Sequence, residues 1–136
     1  MAANTIPIYP KVPNNSWATL TAANNTYDAA SGTVTTLFTA GIEGSKVTYI
    51  KARALGGNVA TVVRIFINNV GVTTTAANNT LFMERALAAV SASATAETAD
   101  WVIAAGIPMA PNHRLLIVLG TTVAAGWQFT AMGGDY

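Results

Sequence analysis

Val59-Ala-Thr-Val-Val-Arg-Ile-Phe-Ile-Asn68 decides the fold class of this chain. A β-strand turns successive side chains to opposite faces. Val59, Thr61, Val63, Ile65 and Ile67 therefore share one face, and Ala60, Val62, Arg64, Phe66 and Asn68 share the other. The first set reads as a core face. The second holds Val62 and Phe66 on either side of Arg64, an unusual composition for a free surface. Arg114-Leu-Leu-Ile-Val-Leu119 behaves alike, with Leu115, Ile117 and Leu119 on one face and Leu116 and Val118 on the other. Strands apolar on both faces need cover on both sides, and a subunit interface is the cover expected here.

Short runs rich in Val, Ile, Thr and aromatics continue in both directions, parted by Gly, Asn and Pro clusters. They predict eight strands, over residues 16–21, 32–39, 46–55, 59–68, 80–89, 100–107, 114–120 and 126–132. Regular short strands with turn signals between them make an all-β, antiparallel β-sandwich, and eight of them make it jelly-roll-like. Gly56-Gly57-Asn58 reads as a hairpin turn between the third and fourth strands. Glu84–Ala99 is rich in helix-favouring Ala but carries no 3.6-residue apolar stripe. It reads as a strand end followed by a long loop, with a two-turn helix as the alternative. Ala-Ala-Asn-Asn-Thr occurs at 22–26 and again at 76–80. The flanking residues do not match, so this is a reused turn rather than a duplication, built on asparagine's habit of bonding nearby main chain.

Residues 1–15 read as an extended arm and residues 16–136 as one β-sandwich domain. Pro7, Pro10 and Pro13 recur every third residue and favour extended backbone. Ile6, Ile8, Tyr9 and Val12 lie between them and are the expected anchors on a neighbouring subunit. Val62, Phe66, Leu116 and Val118 on the doubly apolar strands, with the terminal aromatic Tyr136, complete the candidate interface.

Charged residues make up 10% of the 136, against about a quarter in an ordinary soluble domain. So sparse a charge fits a surface largely covered by another protein. Net charge is +1 and the cations are scattered, which argues against nucleic acid as a partner. The longest apolar run, near Leu115–Leu119, is far shorter than a membrane helix needs, and no basic-then-apolar leader is visible. The absence of cysteine fits synthesis in a reducing cytoplasm. His113 is the only histidine and reads as a turn residue at a strand entry. With six dispersed acids and no Cys, no metal-ligand spacing exists, and neither glycine pair opens a helix as a phosphate loop does. No catalytic residue, cofactor or metal is therefore expected. Paired carboxylates for glycan hydrolysis would have to come from Glu84 with Asp100 or from Glu43 with Glu97, and nothing in their context recommends them. Trp17, Trp101 and Trp127 read as core or interface anchors, with Trp127-Gln128 mildly compatible with a sugar site.

Thr33-Val-Thr-Thr-Leu-Phe-Thr-Ala-Gly-Ile-Glu-Gly-Ser-Lys-Val47 resembles small virion proteins of tailed bacteriophages. So do Arg64-Ile-Phe-Ile-Asn-Asn69, Asn79-Thr-Leu-Phe-Met-Glu84 and Gly133-Gly-Asp-Tyr136. The resemblance covers most of residues 31–136 and is carried by structural rather than catalytic motifs. It implies a β-sandwich of the phage particle, most like the capsid decoration or cement class, which sits on the shell exterior as homotrimers where capsomers meet. The implied partners are the major capsid protein and further copies of the chain. The alternative is a tail or fibre component with a receptor- or glycan-binding jelly roll, using exposed aromatics such as Trp127.

Overall fold

The computed structural model describes residues 9–98 and 100–136. Eight strands appear: β1 (Val12–Leu20), β2 (Thr35–Thr39), β3 (Ser45–Ala54), β4 (Thr61–Asn68), β5 (Asn79–Leu87), β6 (Asp100–Met109), β7 (Arg114–Leu119) and β8 (Trp127–Asp135). They form two antiparallel sheets of four, ordered β1-β8-β3-β6 and β2-β7-β4-β5. The chain is thus a jelly roll. Its first four strands run antiparallel to its last four in nested pairs, β1 with β8, β2 with β7, β3 with β6 and β4 with β5.

Only β4 and β5 follow one another within a sheet; every other connection crosses between sheets. The reading of Gly56-Gly57-Asn58 as a hairpin is corrected accordingly. It is a crossover from β3 in one sheet to β4 in the other. Its fixed point is Asn58, whose side chain donates to Gly126 O (2.7 Å) and accepts from the N–H groups of Ala125 (2.9 Å) and Gly126 (3.1 Å). Its backbone exchanges two hydrogen bonds with Val90, both 2.9 Å. One buried asparagine therefore joins the crossover to the β5–β6 and β7–β8 loops.

The core lies between the sheets. Val63, Ile65, Leu115, Ile117 and Leu119 face Val47, Ile50, Ile103, Trp127 and Phe129 across it. Alanines on β3 make room for the aromatics: Ala54 pairs with Trp127, and Ala52 lies between Phe129 and Trp101. Such large-against-small placement fills a core without strain. Trp101 stacks on Trp127 at 5.2 Å between ring centroids.

Residues 88–98 contain no helix, in line with the loop reading. Among the described residues the single helical turn is a 3-10 turn at Ala76–Asn78, inside the second copy of the repeated pentapeptide. Both copies use asparagine alike. Asn24 Nδ2 bonds Ser31 O and Thr33 O, both at 2.9 Å, and Asn78 Nδ2 bonds Val72 O at 3.0 Å. In each case the amide packs where a glycine, Gly32 or Gly71, leaves no Cβ to obstruct it.

β1 begins inside the segment that the sequence reading gave to the arm. Val12–Asn15 already belong to β1, and Lys11 N–H extends that ladder to Asp135 O (2.7 Å). Pro10 packs over Gly134, where a Cβ would come within 2.7 Å of it. Ile6 and Ile8 lie outside the described residues.

Candidate interaction face

The two outer sheet faces differ. Over β2-β7-β4-β5 lies the chain's own segment 21–34. Asn24 N–H bonds Leu119 O (2.7 Å), and Ala23 bridges Leu119. Ala29 and Val34 then pack on Phe66, Leu116, Val118 and Leu81 as a second, smaller core. The expectation that Phe66, Leu116 and Val118 lie at a subunit interface is corrected. All three are buried within this chain, because its β1–β2 connection supplies the missing cover. Val62 is half-buried beside them.

The same segment explains Arg64. This outward-facing residue is only 5% exposed. Its Nε donates to Glu84 Oε1 (2.7 Å), Nη1 to Asn25 Oδ1 (2.6 Å) and Nη2 to Tyr27 OH (2.8 Å). The guanidinium also lies 3.9 Å from the Tyr27 ring centroid. A planar donor fork suits several fixed acceptors, and here it clamps the covering segment to β4 and β5.

The outer face of β1-β8-β3-β6 has no such cover among the described residues. Register places Trp17, Thr130, Lys51 and Val102 in one row across it. The next rows are Asn15, Met132, Tyr49 and Ala105, then Thr19, Gln128, Arg53 and Asp100. Trp17 is 69% exposed and Val102 54%, while Tyr49 and Met132 are half-exposed. Lys51 Nζ pairs with Asp100 at 2.8 Å, and Arg53 stands 3.8 Å from the same oxygen. The bond from Lys51 and its charge hold the Asp100 carboxyl below its ordinary 3.8, and the same contact raises Lys51. Lys46 lies on this face and Lys11 lines a groove with Thr48 beside it.

The remaining expected residues fall as follows. Tyr9 and Val12 are exposed where the chain enters β1. Tyr136 is half-buried, and its N–H bonds Gly44 O (3.2 Å), tying the end of β8 to the β2–β3 turn. Below it, Asp135 Oδ1 accepts from Ser45 Oγ, from Asn14 Nδ2 (2.9 Å) and from Gly41 N–H (3.3 Å). Burial works to raise this carboxyl, but the three donors outweigh it and its pKa is lowered.

Trp127 is fully buried, which removes it from any sugar site. Asp100 and Glu84, one of the two pairs considered for hydrolysis, are engaged by Lys51 and Arg64. His113 sits in the turn before β7, with its backbone N–H on Ala110 O (3.1 Å). Among the described residues no three His, Cys, Asp or Glu side chains converge on one point, and no helix is long and apolar enough to cross a membrane. Compared with known proteins, the chain matches no family model, no curated protein and no solved structure.

Proposed function

We propose that this chain is a structural subunit of a tailed-phage particle, decorating the outside of the head and stabilising the assembled shell. Its partners are the major capsid protein and further copies of itself, with a homotrimer as the working form. The observation that carries the reading is the contrast between the two outer faces. One is covered by the chain's own segment 21–34, and the other has no such cover among the described residues and bears Trp17, Tyr49, Met132 and Val102. The virion setting itself rests on the resemblance of residues 31–136.

The mechanism is thermodynamic. A subunit that binds the closed shell and not its dissociated parts stabilises the shell by mass action, by about 2.7 kcal/mol per site at a hundredfold excess over Kd. A trimer touching several capsomers adds avidity without requiring a strong single contact. The arm contributes through Ile6, Ile8 and Tyr9. Deleting residues 1–9 isolates that contribution, since it leaves the Lys11–Asp135 ladder bond in place.

Cryo-electron microscopy of the particle that contains the chain tests the proposal. Density at three-fold or quasi-three-fold positions on the head is the expected result. Density confined to a tail or baseplate, or a copy number of only a handful per particle, refutes it.

A further inference from the structure

The geometry points to the outer face of β1-β8-β3-β6 as the docking surface, and to its occupant as an acidic protein surface with an apolar centre. This inference rests on the decoration reading and names the chemistry of its contact. Two observations carry it. The first is the distribution of charge. Lys11, Lys46, Lys51 and Arg53 lie on or beside this face with Asp100 as its only acid among the described residues. Asp28, Glu43, Glu84, Glu97 and Asp135 all lie elsewhere, in loops, on β5, or at the end of β8 turned toward Ser45 and Asn14. A chain of net charge +1 is therefore polarised, with its positive side on β1-β8-β3-β6, and complementary charge steers such a face toward an acidic partner.

The second observation is the kind of residue exposed. Trp, Tyr, Met and Arg are the side chains enriched in the buried centres of protein interfaces. Trp17, Tyr49, Met132 and Arg53 all stand on this face. Trp17 is the natural anchor, being a large rigid ring left 69% exposed on an edge strand.

Two other occupants fit less well. A phosphate backbone wants a continuous track of free cations, whereas Lys51 is already paired with Asp100 at the β6 edge and Lys46 lies toward the opposite end of β3 from Arg53. A second copy laid face to face would set the cations of one face against those of the other, with one acid on each among the described residues, and like charges opposed across an interface are costly.

The test uses full-length chain and head shells assembled without it, measuring bound copies per shell by co-sedimentation at low and moderate salt. The variants are Trp17→Ser, the double reversal Lys46→Glu with Arg53→Glu, and Arg114→Glu as a charge-reversed control on β7 of the other sheet. Near-ultraviolet circular dichroism and melting establish that each is folded. Trp17→Ser and the double reversal are expected to weaken binding about tenfold or more, the reversal most at low salt, while Arg114→Glu stays near wild type. If the double reversal binds as well as the control, the face is wrong and the decoration reading survives. If the wild-type chain does not bind shells at all, both fall. Salt-sensitive binding of oligo(dT) lost in Trp17→Ser reassigns the face to nucleic acid, and a wild-type oligomer that dissociates in Trp17→Ser reassigns it to self-assembly. Either result overturns the inference.

Discussion

Replacing Asn58 with alanine tests whether one buried amide holds the loops at one end of the sandwich together. The substitution removes the donor to Gly126 O and the acceptor for two N–H groups, at 2.7, 2.9 and 3.1 Å. Each such bond contributes a net of about 0.5–1.5 kcal/mol, and a buried group left without a partner costs about 1–3 kcal/mol. Gly126 is itself buried, so its freed N–H and C=O have poor access to water. These contributions overlap, and the expected loss is about 2–4 kcal/mol. At roughly 4 °C per kcal/mol for a domain of this size, the melting temperature falls by about 8–16 °C. Urea unfolding followed by tryptophan fluorescence measures it, with the slope unchanged if the effect is on the folded state. Asn58→Asp sharpens the test. Ionised, it keeps the acceptors, loses the donor and buries a charge. Protonated, it regains a donor, so its penalty shrinks as pH falls. A loss below about 1 kcal/mol for Asn58→Ala, or a pH-independent penalty for Asn58→Asp, refutes the reasoning.

Phe66→Ala is expected to cost about 3–5 kcal/mol and to speed amide exchange across 22–34; a cost under about 0.5 kcal/mol would mark Phe66 as a surface residue after all. Asp135 has a folded pKa below its ordinary 3.8, so its contribution is complete above that value and is lost as pH falls through the lower, folded one. Unfolding titrations should therefore be flat from pH 8 to about 5 and fall below about 4, with a shallower fall in Asp135→Asn. Gly133→Ala would place a Cβ 2.5 Å from Lys46 O and 3.0 Å from Val47 Cα. Both are backbone atoms that cannot step aside, so the expected cost is about 1–3 kcal/mol with a local register change visible in amide shifts; an unperturbed melt would contradict it.

Strand number and type were legible because period-two alternation and Gly/Asn/Pro punctuation are local signals. β4 and β7 announced themselves by apolar residues on both faces. What covers the second face was not legible. The segment 21–34 is rich in Ala, Asn, Ser and Thr and looks like a solvated loop. Its few apolar contributors, Ala29 and Val34, are too small and too widely spaced to form a pattern. Arg64 misled for a related reason, since a lone arginine among apolar neighbours gives no hint that its acceptors lie at Asn25, Tyr27 and Glu84. Gly56-Gly57-Asn58 carried a true turn signal, but turn chemistry does not say which sheet the next strand joins. On the candidate face, Trp17 was visible as an anchor while the clustering of Lys46, Lys51 and Arg53 was not. In sequence they straddle two strand faces of β3, and the bulge between Val47 and Tyr49 puts Lys46 on the same face as Tyr49, Lys51 and Arg53.

The position of β8 between β1 and β3 has a kinetic consequence. Among the described residues β1 has no neighbour in its sheet except β8, and more than a hundred residues separate them. At about 5–20 residues per second a ribosome takes roughly 5–20 s to cross that gap. Throughout it β1 is a lone strand carrying an exposed tryptophan, while the β4–β5 hairpin and β7 can already pair. Closure of the sandwich thus waits until β8 has emerged, and the face that carries Trp17 comes into being only then.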